Sequence, residues 1–223
     1  MAKRTQKTDA SHDQILLEVA WEVCNQVGGI YTVIRSKAPA MIKHHGRSYC
    51  MVGPFVGKNI LAELEYVEPG LDIFSEAAEK LKKRGYDVHD AIWLVTGKPR
   101  VILLNPNVIE EKALNVVKYL LWKNHGIGTP GEIALINQVV AFAYLTRLFL
   151  DEVVQLAQKR KIIAHFHEWM AGLPIADIKR DKIPIKTVFT THATQLGRHL
   201  AINSPRAQQG LVQILRTIGR RDD

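Results

Sequence analysis

Short apolar runs alternate with longer helical segments along most of this chain, and this alternation constrains the fold more than any other feature. We predict strands at Ile15–Trp21, Ser48–Val52, Ala91–Val95, Val101–Leu104, Lys161–Phe166 and Lys186–Thr190. Helices are predicted from about Tyr31 to His44, Phe74 to Arg84, Glu110 to Trp122, Gly131 to Arg160 and Met170 to Arg180, with another short one from about Ala193. Strands that alternate with helices indicate an α/β, Rossmann-like domain whose mostly parallel sheet is covered on both faces.

Glycine and proline set several of the predicted boundaries. Gly53 and Pro54 are expected to end the second strand, and Gly85 is placed as the C-cap of the helix before it. The segment from Thr96 to Pro99 is predicted to be a turn between two strands.

Composition narrows the class of protein further. With 223 residues, 47% of them hydrophobic, the chain can bury a full core, which excludes a disordered or fibrous protein. The formal charge of +8 favours anionic partners such as nucleotides or sugar phosphates. No aromatic RNA-binding pattern or DNA-reading helix accompanies that charge, so nucleic-acid binding is expected to be nonspecific at most. With no C-x-x-C pair, Cys24 and Cys50 suggest a reducing cytoplasm rather than a disulfide framework or a zinc site.

Neither a signal peptide nor a membrane span is expected from the apolar segments. Residues 1–14 are polar and predicted to be a flexible leader. The run from Ile133 to Leu150 is interrupted by polar residues and falls short of the ~20 apolar residues that a membrane span needs, so we predict a buried helix.

The stretch from Ile162 to Arg198 carries the first site hypothesis. Two strand-like runs each end in polar side chains, and ligands of open α/β sheets bind beyond the carboxyl ends of parallel strands. We therefore expect one cleft to be lined by His165, His167, Glu168, His192 and Arg198.

Gly28 and Gly29 follow the first strand and precede a helix, a position where backbone N–H groups can approach a phosphate. A plain tight turn explains the same two glycines, and neither G-x-G-x-x-G nor a Gly-Lys-Ser/Thr phosphate loop is present.

His165 and His167 lie on the same side of a strand, because side chains alternate with period two. They can bind a metal if Glu168 or His192 supplies a third ligand, whereas hydrogen-bonded histidines at a strand end are the structural alternative. Glu168 either binds a sugar hydroxyl or a basic group, or it stabilises the start of a helix. Our prediction is no metal.

Three ordered motifs resemble the N-terminal part of the eukaryotic-type glycogen synthases. They are EVAWEVCNQVGGIYTVIRSKAPAM (Glu18–Met41), HFHEWMAGLP (His165–Pro174) and VFTTHATQLGRHL (Val188–Leu200). The similarity runs from about Ile15 to Leu200 and is weakest between Val56 and Val108.

This resemblance implies a GT-B architecture, in which two Rossmann-like domains face each other across a cleft. It implies transfer of glucose from UDP-glucose to the non-reducing end of an α-1,4-glucan, with retention of configuration and without a metal or organic cofactor. Glu168 and His192 would be the catalytic residues at the donor sugar, His192 positioning it. The donor-binding residues would be Gly28, Gly29, Gln26 and Arg198, with Arg198 at the phosphate.

Two departures from the family pattern affect the expected activity. Gln26 stands where the family has Lys or Arg, which removes a charge-assisted contact worth about 1 kcal/mol or more. From the motifs we expect a partial, Rossmann-like donor-side domain at residues 15–200. We expect residues 201–223 to be a basic tail that does not match the family, and the C-terminal GT-B domain to be absent.

We therefore expect a truncated, cytoplasmic glycosyltransferase chain that is inactive by itself. The alternative is a non-catalytic nucleotide-sugar or glucan-binding module, and metal-dependent hydrolysis ranks last. Exposed sheet or domain-interface surface would favour self-association into oligomers.

Overall fold

A computed structural model describes residues 13–57, 59–68, 72–131 and 133–193. The chain divides into two compact units, Met1–Thr190 and Thr191–Asp223. All of the helices and strands given below belong to the first unit. The predicted leader is therefore described only from residue 13, and the predicted tail lies outside the described residues.

One sheet runs through the first unit. Its described strands are Gln14–Ala20 (β1), Tyr49–Pro54 (β2), Leu64–Tyr66 (β3), Val88–Trp93 (β4), Arg100–Leu104 (β5), Lys161–His167 (β6) and Ile185–Thr190 (β7). Their order across the sheet is β3-β4-β5-β2-β1-β6-β7. β4 runs antiparallel to both of its neighbours, and the other pairings are parallel. The predicted mostly parallel sheet is confirmed.

Helices cover both faces of the sheet. They are Gly29–His45 (α1), Ile73–Lys83 (α2), Glu111–His125 (α3), Ala134–Leu156 (α4), Trp169–Gly172 (α5) and Pro174–Arg180 (α6). Alternate side chains of β1 reach opposite faces: Leu17 packs in a core cluster with Phe142 of α4, and Leu16 packs in another with Ile34 of α1. The continuous apolar run of β1 is thus explained by a strand buried on both sides.

Several predicted boundaries were wrong, and each has a local cause. β2 includes Gly53 and ends at Pro54, as the stop signal predicts, but two residues later than Val52, because Gly53 and Pro54 still pair with β5 after the pairing with β1 has ended. The single helix predicted at 170–180 is two helices, since Pro174 occupies the first turn of α6 and cannot continue α5. The C-cap of α2 is Arg84, and Gly85 follows it with a φ of +90°.

One strand had no sequence signal. β3 is three residues long and pairs with β4 at the edge of the sheet. Its two later residues, Glu65 and Tyr66, are exposed. A strand this short with one buried side chain shows no usable alternation, so the sequence pattern could not reveal it.

The loop that leaves β1 is held firmly in place. Trp21 packs edge-on against Phe142 of α4, with ring centroids 5.7 Å apart. A Cβ on Gly53 would come within 2.6 Å of the Cβ of Val23, so the end of β2 closely approaches this loop. Within the described ranges, none of the helices combines the length and the apolar character that a membrane span requires.

Candidate functional site

The glycine loop, which we define as residues 21–29, connects β1 to α1. Gly28 is the N-cap of α1, and Gly29 is its first residue. Both glycines and Gln26 are exposed. The predicted arrangement of strand, glycine turn and helix N-terminus is therefore present, and the loop starts at the carboxyl end of a central strand.

A buried carboxylate supports this loop from inside, and we did not predict it from the sequence. Glu22 is 4% exposed and accepts hydrogen bonds from the backbone N–H groups of Gly28 (2.7 Å) and Tyr31 (2.9 Å). A Cβ on Gly28 would lie 3.2 Å from Oε1 of Glu22, whereas a Cβ on Gly29 would meet no atom within 4 Å. A side chain at position 28 would therefore press on the Glu22 carboxylate, whereas Gly29 faces open space.

Glu168 lies where the chain leaves β6. Its φ of +61° and ψ of 172° fall in a region that L-amino acids rarely adopt, at a cost of order 1–3 kcal/mol. The turn is fixed by a hydrogen bond of 2.9 Å from the Glu168 N–H to the carbonyl oxygen of Thr190. The half-buried carboxylate makes no capping hydrogen bond to α5. Glu168 is nevertheless the N-cap of α5, where the helix dipole favours a carboxylate, so its position agrees with the helix-start alternative and its sugar-binding role stays a prediction.

The glycine loop and Glu168 lie at the same edge of the sheet. β1 and β6 are neighbours, and Ala20 is paired with His167, so both strands end at the same level. The loop begins one residue after Ala20, and Glu168 follows His167 directly. The structure thus brings together four predicted site residues, Gln26, Gly28, Gly29 and Glu168, at the carboxyl edge of two parallel strands.

His165 and His167 project from the same face of β6, as the strand period predicts. Their ring centroids are 4.2 Å apart. Nε2 of His165 lies 2.7 Å from Oγ1 of Thr190, and Nε2 of His167 lies 2.7 Å from Oε1 of Glu18. Because a carboxylate only accepts hydrogen bonds, Nε2 of His167 carries the proton. The predicted alternative of hydrogen-bonded histidines is confirmed.

Glu18 is the centre of a buried polar network that sequence analysis missed. Only 1% of it is exposed, and besides His167 its carboxylate contacts Nζ of Lys37 and the hydroxyl of Tyr49. Burial would raise the pKa of Glu18, but the hydrogen bond from His167 and the charge of Lys37 together lower it to about 2. A glutamate inside the apolar run ILLEVAW was the signal that could have revealed this network.

The same residues define the metal-binding capacity of the site. Glu18, His165 and His167 present ligand atoms that all lie within 4.8 Å of one another. Among the described residues, the third possible metal ligand beside His165 and His167 is thus Glu18, and not Glu168 or His192, which the sequence suggested. The ammonium group of Lys37 already supplies the positive charge that a metal would bring to this carboxylate, so the arrangement favours an ion pair.

The remaining predicted site residues belong to the second unit. His192 is exposed and lies in a stretch, Thr191–Ala193, without helix or strand. Arg198 lies outside the described residues, as does the predicted helix beyond Ala193. The roles of His192 and Arg198 stay predictions.

The part of this chain that is similar to known proteins includes the glycine loop and the carboxyl ends of β1 and β6. A family model described as glycogen synthase matches residues 18–209, a range that extends past the Leu200 boundary read from the motifs. The liver glycogen [starch] synthase of Rattus norvegicus is 40% identical over 190 residues, which are 84% of this chain and 27% of that protein. The glycogen [starch] synthases of Neurospora crassa and Dictyostelium discoideum are each 36% identical, over 86% and 84% of this chain and 27% and 21% of their own lengths. The chain thus spans about a quarter of the length of these relatives.

Proposed function

Because this chain belongs to the glycogen synthase family, we propose that residues 15–200 form the donor side of a retaining glycosyltransferase cleft. The donor is UDP-glucose, and the acceptor is the non-reducing end of an α-1,4-glucan. The observation that carries this proposal is the position of the glycine loop and Glu168 at one edge of the sheet, within the range that the family model matches. Both the diphosphate and the sugar of one donor molecule would lie along that edge.

Each proposed site residue has a distinct part in donor binding. The open side of Gly29 lets the diphosphate approach the backbone at the start of α1, where N–H groups and the helix dipole favour an anion. Glu168, half-buried where the chain leaves β6, accepts a hydrogen bond from a sugar hydroxyl. His192 positions the donor sugar and Arg198 binds a phosphate.

The chemistry requires positive charge and hydrogen-bond donors at the departing diphosphate, since a retaining transfer without a covalent intermediate passes through an oxocarbenium-like state. The leaving phosphate itself accepts the proton of the acceptor hydroxyl. Of the residues 21–29, none is Lys or Arg, so the glycine loop contributes backbone dipoles only. We infer that the 223-residue polypeptide, assayed by itself, binds donor weakly and transfers no glucose.

Titration calorimetry with UDP-glucose tests this proposal through one substitution. Gln26→Lys restores the cation that the family pattern has on the glycine loop, and a charge-assisted contact of about 1.4 kcal/mol makes binding about tenfold tighter. The matched control is Lys98→Gln, which changes one charge in the hairpin turn after β4. Equal affinities of the wild type and Gln26→Lys for UDP-glucose would count against a donor diphosphate on this loop.

A glucan-binding module without catalysis is the competing function. Calorimetry with maltooligosaccharides separates the two functions, because such a module binds the glucan and its affinity for the glucan does not change in Gln26→Lys.

A cytoplasmic location belongs to the same proposal, and it is supported by two buried free thiols, Cys24 and Cys50, whose pKa values are raised by burial. Self-association through exposed sheet surface is also proposed, and sedimentation velocity would test it.

A further inference from the structure

Glu22 fills part of the anion site that the start of α1 offers. The first four N–H groups of a helix have no partner within the helix. At α1 the carboxylate of Glu22 accepts from two of these groups, those of Gly28 and Tyr31. Of the described residues, none accepts a hydrogen bond from the N–H groups of Gly29 and Ile30, so these two donors remain for a ligand.

The position of Glu22 lets its negative charge repel an anionic ligand at the glycine loop. The side chain is 4% exposed, so water and salt screen it little. It lies directly beneath Gly28, and it is the only ionisable side chain other than the buried thiol of Cys24 among residues 21–29. A phosphate on the open side of Gly29 therefore meets a like charge just below the backbone.

We propose that Glu22 sets the affinity of the glycine loop for anionic ligands. Its carboxylate holds the loop in shape through two backbone hydrogen bonds, and it also opposes a diphosphate, so the loop binds such ligands weakly until a cation is added. The identity of the diphosphate as part of UDP-glucose rests on the proposed function. The effect of Glu22 on a simple anion does not.

Glu22→Gln tests the proposal, because the amide oxygen can still accept from Gly28 and Tyr31 while the negative charge is lost. Inorganic pyrophosphate and UDP-glucose are titrated separately into the wild type and the variant. We expect pyrophosphate to bind the variant five- to tenfold more tightly, and uncharged uridine to bind both equally. Glu65→Gln is the matched control, since Glu65 is exposed and lies on β3, where its loss leaves pyrophosphate affinity unchanged.

A second measurement uses the wild type alone and does not depend on folding of the variant. In amide NMR spectra, pyrophosphate is expected to shift the Gly29 and Ile30 signals strongly and those of Gly28 and Tyr31 weakly, because Glu22 already occupies the latter two groups. Equal shifts at all four amides, or equal pyrophosphate affinity of wild type and Glu22→Gln, would overturn the proposal. Absence of pyrophosphate binding to both proteins would overturn it as well.

The two ligands keep this inference separate from the proposed function. Tighter pyrophosphate binding by Glu22→Gln without any UDP-glucose binding supports the role of Glu22 and contradicts the donor site. UDP-glucose binding that is equal in both proteins, together with unchanged pyrophosphate affinity, supports the donor site and contradicts the role of Glu22.

Discussion

At the scale of single residues, Glu168 is the site residue whose backbone departs most from ordinary geometry. Its neighbours impose the turn: His167 is held by Glu18 on one side, and the Glu168 N–H is bonded to Thr190 on the other. Strain of this kind persists where the surrounding structure fixes it, and it clusters at functional sites. The motif alone gave no indication of it, because a positive φ at a glutamate has no sequence signature.

Relief of this strain should be measurable as stability. Glu168→Gly and Glu168→Ala both remove the carboxylate, but only glycine adopts the native φ without cost, so we expect the glycine variant to be more stable by about 1 kcal/mol. Urea unfolding followed by circular dichroism compares the two. An alanine variant as stable as the glycine variant would mean that the turn is not strained.

Glu18 makes stability depend on pH in a defined window. Its folded-state pKa of about 2 lies below the ordinary value of 4.5, so its contribution is complete above about pH 4.5 and is lost as the pH falls toward 2. The shift corresponds to about 3 kcal/mol. As the pH is lowered from 6 to 3, the free energy of unfolding should therefore fall more steeply for the wild type than for Glu18→Gln. Glu65→Gln changes an exposed carboxylate and should leave the dependence of the unfolding free energy on pH as it is in the wild type. If Glu18→Gln showed the wild-type pH dependence as well, the lowered pKa of Glu18 would be contradicted.

At the scale of elements, regular periodicity predicted most of the fold, and the exceptions have physical causes. β1, β6 and β7 were predictable because each is a run of apolar residues bounded by turn residues. The division of 169–180 into α5 and α6 was signalled by Pro174 and was overlooked, because the helical period continues across the proline. For the site, residue types at strand ends pointed to Glu168. Glu18 was missed because its network includes His167, which is distant in sequence. Glu22 was missed because its partners are backbone N–H groups, which leave no side-chain pattern in the sequence.

The start of α1 distinguishes two glycines that look equivalent in sequence. Gly28→Ala forces a Cβ against Glu22 and should cost about 1 kcal/mol of stability, whereas Gly29→Ala adds a methyl group in open space at a helical position and should stabilise by about 0.5–1 kcal/mol. Thermal unfolding measures both effects. Gly29→Ala should nevertheless weaken UDP-glucose binding, because the methyl group lies on the side where the diphosphate approaches. Destabilisation of similar size by both variants would show that the two glycines play the same role.

At the scale of the whole molecule, the proposed activity can be tested in a chimera. Residues 18–209 of this chain would replace the matched segment of the rat liver glycogen synthase, and transfer from UDP-glucose to glycogen would be measured. We expect an active chimera whose kcat falls at least 100-fold on Glu168→Ala, because the variant loses a polar contact to the reacting sugar. Glu65→Gln in the same chimera should leave kcat unchanged. An active chimera that tolerates Glu168→Ala would remove Glu168 from the catalytic residues.

The network around Glu18 of β1 joins four elements. It reaches α1 through Lys37 and β2 through Tyr49, which follow β1 along the chain, and the distant β6 through His167. Removal of one member deprives a buried charge or a buried polar atom of a partner, so the effects of single exchanges at these positions are coupled. These positions should therefore evolve as a set, so that intermediates with one or two exchanges are rare. A designer who wants an apolar core here has to change all four residues in a single step.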